Sequence, residues 1–458
     1  MRINALYILP LAFLSTGAWA QSPEKPFFDG AVDSASRVTM SRTDTAIEKY
    51  RKGDFTLVLT DKKGRPVNGS VEVELARHAF NFGVSMYGVS ALPEGPLKEK
   101  ALQAVRDVFN MVTVCEYWRA PSNKRNTDRP EEDLAFAKAN NIRPRFHAIA
   151  YNNPRWIMGG NPTEEECWKM LEDRVRSVAE RHAGRFEEFD VINEFVSGHH
   201  WGNHLDFYEA VPQFPQFRDP EVAKRMMAMT RRYLPDAKLV VLEAQVPSVK
   251  SPYFVETVDF WKSLVAIGGD FDYVGSQAHF YGGGCDYREG TKRFPDGRDA
   301  FTMAEVEKGL DLLGSIGKPV VITEFNGPSR NSNSSPKERA RIWSLSDEEN
   351  AAWQINFYRL AFSKPYIREV TRWFLVDELG GKGMDTGLLT VDGRKHAVYD
   401  ALRRLIHEEW HTKTGGDVRN GEFAFRGFYG DYTVRVKGYK PATATLDKNG
   451  KMAVVLEK

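Results

Sequence analysis

Eight short apolar runs, most of them separated by a helical pattern, constrain the fold of this chain more than any other feature. They read FNFGVSM, FNMVTV, RPRFHAIA, FEEFDVIN, KLVVLEA, FDYVGSQAHF, PVVITEF and EVTRWFLV. Between them lie segments such as EEECWKMLEDRVRSVAERHAG and AEVEKGLDLLGSIG, whose apolar residues recur at helical spacing. Strands alternating with helices imply a parallel sheet, because a parallel pair needs a crossover connection. Continuous apolar runs imply strands covered on both faces. Eight such units over roughly 250 to 330 residues predict an α/β fold, a (β/α)8 TIM barrel with insertions. An open doubly wound sheet is the rival, but a nucleotide binder of that kind carries a glycine-rich turn after an early strand, and FNFGVSMYGVS supplies none.

The barrel is expected over residues 78–407, and its flanks have another texture. DFTLVLTDKKGRPVNGSVEVELARHAF gives two alternating runs around a turn-rich stretch, a hairpin signal. Near the far end, EFAFRGFYGDYTVRVKGYKPATATLDKNGKMAVVLEK contains several short strands divided by GDY, KGYKP and DKNG. Neither piece alone buries a core. Residues 54–77 and 408–458 are therefore expected to join in one small accessory β-sandwich beside the barrel. Residues 1–20 carry an early Arg2, an apolar middle and the small-x-small ending Ala18-Trp19-Ala20, the pattern of a cleavable signal peptide. A secreted or periplasmic protein is expected, with residues 21–53 as a polar linker or arm.

Composition excludes several classes. A net charge of +1 provides no general field for nucleic acid or an anionic membrane. No later stretch is long and apolar enough to span a bilayer. The three cysteines, Cys115, Cys167 and Cys285, form neither a disulfide framework nor a C-x-x-C zinc pair. His199, His200 and His204 in GHHWGNH match no metal-ligand spacing and read as a polar loop; no metal or cofactor is expected. The glycines of FYGGGCDYREG lack the Gly-Lys-Ser/Thr ending of a phosphate cradle and read as a loop over a cleft.

On a barrel of this kind, function sits at the C-terminal ends of the strands. The fourth run ends in Asn193 and Glu194, and the seventh ends in Glu324. Either glutamate alone could be a surface residue or half of an ion pair. Together they can face each other across the barrel mouth, and two carboxylates flanking a sugar are the equipment of glycoside hydrolysis. One is kept protonated as general acid, while the other stays ionised as nucleophile or base.

Here the sequence resembles glycoside hydrolase family 10, known chiefly for secreted endo-β-1,4-xylanases. The family's Trp-Asp-Val-Val-Asn-Glu appears as Phe189-Asp190-Val191-Ile192-Asn193-Glu194, and its Ile-Thr-Glu-Leu-Asp as Ile322-Thr323-Glu324-Phe325-Asn326. Gly275-Ser276-Gln277-Ala278-His279 matches its sixth-strand pattern, and the resemblance runs over roughly residues 78–407. It implies Glu194 as acid/base and Glu324 as nucleophile of a retaining double displacement on xylan or a decorated xylan. It further implies Asn193 on the sugar 2-hydroxyl and His279 hydrogen-bonded to the nucleophile, keeping it ionised and aimed. Gln277 and His147 would line the sugar site, and Trp373 would wall it.

The departures fall where the family grips the glycone. Its His-Thr-Leu-Val-Trp-His becomes His147-Ala148-Ile149-Ala150-Tyr151-Asn152, and its Glu-Asn-Glu-Met-Lys-Trp becomes Cys115-Glu116-Tyr117-Trp118-Arg119-Ala120. The hydrolytic pair is kept while the sugar-recognition surface is rebuilt. A polysaccharide or oligosaccharide partner is expected, as the substrate of a xylanase or of a retaining glycosidase of different polysaccharide specificity, or as the ligand of a carbohydrate-binding protein on a decayed hydrolase barrel. Arg119 and Arg145, placed near the mouth, would suit acidic substituents or serve as ordinary ion-pair partners.

Overall fold

The computed structural model describes residues 34–118, 128–151, 162–196, 213–244, 246–281, 302–329, 347–379 and 384–458. The leader read at residues 1–20 lies outside them.

Two strands precede the barrel, β1 (Lys52–Asp61) and β2 (Gly69–His78). The barrel staves follow as β3 (Asn81–Ser85), β4 (Met111–Cys115), β5 (Arg143–His147), β7 (Glu188–Asn193), β8 (Lys238–Glu243), β9 (Tyr273–Ser276), β11 (Val320–Ser329) and β12 (Ile367–Arg372). Two short pieces, β6 (Ala150–Tyr151) and β10 (His279–Tyr281), extend the rim by pairing with β7 and β11. The staves are parallel throughout, and β12 pairs with β3, so the sheet closes and has no free edge. All eight apolar runs of the sequence became staves. Helices follow them in turn, and four begin with proline in the first turn (Pro96–Val108, Pro130–Ala139, Pro220–Tyr233, Pro252–Ala266), where its fixed φ and missing N–H cost nothing. Glu164–His182 starts from a capping box, with Thr163 and Glu166 satisfying each other's backbone N–H.

The inside of the barrel is charged below its mouth. Arg145 is fully buried, donating to Asp190 Oδ1 (3.0 Å) and Glu369 Oε1 (2.7 Å). Thr371 donates to the same Glu369 oxygen (2.6 Å), and Arg143 binds Asn81 (2.6 Å). Arg145 is thus not at the mouth as expected from the sequence. It lies two residues below His147 on β5, and the inward alternation of a strand sends it into the barrel's own ion-pair layer.

The remaining strands are β13 (Lys413–Val418), β14 (Glu422–Phe428), β15 (Gly430–Val436), β16 (Ala442–Leu446) and β17 (Gly450–Leu456). With β1 and β2 they form two sheets, ordered β14-β1-β17 and β13-β2-β15-β16. Phe55, Leu57 and Leu59 of β1 and Val71, Val73 and Leu75 of β2 are buried, in one continuous core with the barrel. The expected accessory sandwich is therefore present, but the expected hairpin is not. β1 and β2 pair with C-terminal strands in opposite sheets, and the isolated Thr60–Pro66 bridge joins β1 to the connection before β2.

The sandwich meets the barrel at the N-terminal ends of the staves. Asn110, just before β4, donates to the carbonyls of His78 (3.4 Å) and Phe80 (2.9 Å), while Arg51 donates to Phe362, Lys364 and Ile367. The expected arm also differs: within residues 21–53, α1 (Ser34–Ser41) and α2 (Thr43–Tyr50) are helical. Thr39 and Arg42 bind Glu307 at 2.7 and 2.8 Å, and Ile47 is buried. A polar stretch with one apolar anchor reads as coil, because the ion pairs that dock it come from a helix some 265 residues away in sequence.

Candidate active site

Both glutamates reach the mouth through irregularities in their strands. On β7, Asp190 pairs with Val240 and Ile192 with Val241, so one extra residue is accommodated. The inward phase shifts by one, and Asn193 comes within reach of His147 Nε2 (3.5 Å) and Gln277 Nε2 (3.0 Å). On β11 an extra residue lies between Ile322 and Phe325, which brackets Glu324. Glu194 itself has φ +64°, a left-handed conformation that non-glycine residues rarely adopt.

Gln277 links the two residues of the fourth-stave end: its amide donates to Glu194 Oε1 at 2.7 Å and to Asn193 Oδ1 at 3.0 Å. Burial, and then the charge of Glu324, push the Glu194 pKa up, to about 8. Burial raises Glu324 as well, though the His147 imidazole and the Arg145 guanidinium oppose it. Two like charges this close in a dry site do not both ionise readily, so the pair holds one proton and Glu194 binds it more tightly.

His279 Nε2 lies 3.2 Å from Glu324 Oε2, while Asn326 Nδ2 donates to its Nδ1 at 2.8 Å. Burial lowers the His279 pKa to about 3, so the ring is neutral and Nε2–H is the donor to Glu324. His279 therefore aims the carboxylate without adding positive charge, and Glu324 is not held in the ordinary carboxylate range that the sequence led us to expect. Asp190 Oδ2 accepts from His147 Nδ1 (2.7 Å), which sets that ring with Nε2 3.8 Å from Glu324 Oε1. Glu324 Oε1 and Gln277 Oε1 are buried acceptors with no hydrogen-bond partner.

Aromatic rings wall the site. Trp373 stacks on Tyr87 (centroids 5.9 Å apart) and packs edge-on to His147 (5.2 Å). Tyr117 contacts His147, Tyr151 and Tyr87, and Tyr151 hydrogen-bonds Glu194. Cys115 lies buried beside Trp373, Phe374 and Met384, so the mouth beyond β4 is apolar. Glu116 turns outward instead, to Arg174 (3.1 Å), Arg181 (2.6 Å) and His182 (2.8 Å).

Of the residues predicted from sequence, the structure brings together Glu194, Glu324, Asn193, His147, Gln277, His279 and Trp373. Asn152 and Arg119 lie outside the described residues, as do the histidines of GHHWGNH and the glycine-rich run from 282. Among the described residues, no three His, Cys, Asp or Glu side chains gather as a metal site, and no helix is long and apolar enough to cross a membrane. Sequence reasoning missed Tyr87, the orienting role of Asp190, and Glu243. The last was findable, since it ends the run KLVVLEA as Glu194 and Glu324 end theirs.

Comparison with known proteins places this geometry. The chain is 25% identical over 423 residues to the anti-sigma-I factor RsgI6 of Acetivibrio thermocellus, covering 90% of this chain and 48% of that protein. It is 25% identical over 234 residues to endo-1,4-beta-xylanase B of Thermotoga neapolitana, covering 48% of this chain and 65% of the relative. It thus spans about half to two thirds of the length of these two relatives. In fold it matches xylanase 10B from Thermotoga petrophila RKU-1 with a TM-score of 0.54 at 20% identity, over 72% of this chain and 95% of that one. The model of glycosyl hydrolase family 10 matches residues 75–381, two thirds of the sequence, and the chain belongs to that family.

Proposed function

We propose that the chain is an exported, retaining β-glycoside hydrolase that cleaves internal β-1,4 linkages of xylan or a decorated xylan. The observation that carries this reading is the pair of buried glutamates at the ends of the fourth and seventh staves, Glu194 held by Gln277 and Glu324 by His279, both with proton affinity raised by burial. The xylanase names of several relatives and the leader read in the sequence support the substrate and the export.

In the first step Glu324 Oε1 attacks the anomeric carbon while Glu194 gives its proton to the departing glycosidic oxygen. The product is a glycosyl ester of Glu324, and the aglycone leaves as an alcohol. Esterification removes the Glu324 charge, so the Glu194 pKa falls. Glu194 can then take a proton from the water that attacks the ester and restores Glu324. Asn193 would hold the sugar 2-hydroxyl, and Trp373 and Tyr87 would exclude solvent from the glycone face. A second reading, a glycan-binding protein without turnover, draws support from the apolar cluster around Cys115, where the resemblance led us to expect polar sugar contacts.

Turnover of xylan and of an aryl β-xyloside separates the two. The expected outcome is initial products of β configuration by proton NMR; α products, or binding without turnover, would overturn the proposal. Glu324→Ala should lose essentially all activity, and azide should restore cleavage of an activated aryl xyloside with an α-glycosyl azide as product. Undiminished activity of that variant on xylan would remove Glu324 from the mechanism.

A further inference from the structure

A third carboxylate, Glu243, is fully buried at the end of β8, next to the strand that carries the acid/base. Its Oε1 accepts the backbone N–H groups of Phe195 (3.1 Å) and Val196 (3.0 Å), the two residues that follow Glu194. Its own carbonyl accepts the N–H of Gln277 (3.0 Å), and the carbonyl of the preceding Leu242 accepts that of Glu194 (3.1 Å). One residue therefore ties down both the left-handed turn at Glu194 and the glutamine whose amide touches its carboxyl.

We propose that Glu243 is the positioning residue of the acid/base: its carboxylate holds the turn that aims Glu194, and its charge helps keep the proton there. The inference rests on the acid/base role of Glu194. A turn with φ +64° persists only where its surroundings impose it, and two N–H groups gathered on one carboxylate are a strong constraint of that kind. A neutral acceptor of the same shape would satisfy those N–H groups equally. The charge has its own consequence, which is repulsion of a second negative charge at Glu194. Among the described residues, groups that act on the Glu194 carboxyl include Glu324 from β11, Glu243 from β8, Tyr151 from β6 and Gln277 beyond β9. Of these, Glu324 and Glu243 disfavour its ionisation, while Gln277 and Tyr151 favour it.

Glu243→Gln and Glu243→Ala separate charge from scaffold. In Glu243→Gln the amide oxygen still accepts both N–H groups, so the fold should persist, and the basic limb of kcat/KM should move down by about 0.5–1 pH unit. In Glu243→Ala the turn is released. Hydrolysis of xylan should then fall about tenfold or more, while cleavage of a dinitrophenyl β-xyloside, which needs little protonation, should fall much less. A merely structural role would lower both substrates alike and leave the limb in place, and that result overturns the inference. If the wild type turns over neither substrate, the acid/base reading fails instead. Carboxyl 13C NMR of Glu194 then still reads the Glu243 effect directly, and an unchanged titration in Glu243→Gln overturns it.

Discussion

Tyr151 and Gln277 lend hydrogen bonds to the Glu194 carboxylate, whereas burial and two neighbouring carboxylates oppose its ionisation. The balance leaves Glu194 protonated at neutral pH, yet close enough to its pKa to change role within one turnover. Tyr151→Phe removes a donor that favours the anion, so the Glu194 pKa should rise and the basic limb of kcat/KM should move to higher pH. This is opposite to the shift expected for Glu243→Gln, and a limb that moved down would show that the Tyr151 hydroxyl does not act on Glu194. Single residues were legible from sequence where one rule applied: a carboxylate at the C-terminal end of a stave faces the mouth. Glu194 and Glu324 follow it, and Glu243 obeys it too. The work of Glu243 is invisible in sequence, because its partners are backbone N–H groups created by a turn. Arg145 was misplaced for the converse reason. Its position near a strand end suggested the mouth, but the partners that bury it, Asp190 and Glu369, come from strands far along the chain.

At the scale of elements, the staves were readable because they are short runs rich in buried apolar residues and the helices between them have clear starts. The bulges in β7 and β11 were not readable, since an extra residue in a strand leaves no trace in an apolar run. They nevertheless decide which residues face the sugar. The pairing of β1 and β2 was misread because alternation sets which face is buried, not which strand lies alongside. Glycines give a sharper test of how elements meet. Gly309 lies in the helix Met303–Gly314, where replacement by alanine ordinarily adds stability. Here an added Cβ would come within 2.1 Å of the Pro247 carbonyl oxygen, a backbone atom that cannot swing aside. Gly309→Ala should therefore destabilise, by about 1–3 kcal/mol, seen as a lower midpoint in urea unfolding. A raised midpoint would mean that the loop around Pro247 yields readily.

For the whole molecule the question is what the sandwich contributes. It lies against the N-terminal ends of the staves, and staves of five or six residues at about 3.3 Å each put it roughly 17–20 Å from the two glutamates, on the opposite face. A module that fed polymer into the cleft would be better placed at the mouth. Its half-buried aromatics, such as Phe423 and Phe425 of β14, pack against the core, and among the described residues of its strands the fully exposed large apolar side chain is Val455. Its inward face, by contrast, is continuous with the barrel core through His78, Phe82, Phe362, Phe428 and Trp410, whose rings pack 4.2–6.1 Å apart. We therefore expect the sandwich to act as a buttress. Deleting residues 420–458 removes β14 to β17, exposes Phe55, Leu57 and Val73, and takes Phe428 from its packing against His78 and Phe362. The truncated protein should lose cooperative unfolding at the wild-type temperature and lose activity on soluble aryl xyloside together with activity on insoluble xylan. Retention of the melting temperature and of aryl-xyloside turnover, with loss confined to binding of insoluble polymer, would make the sandwich a binding module instead.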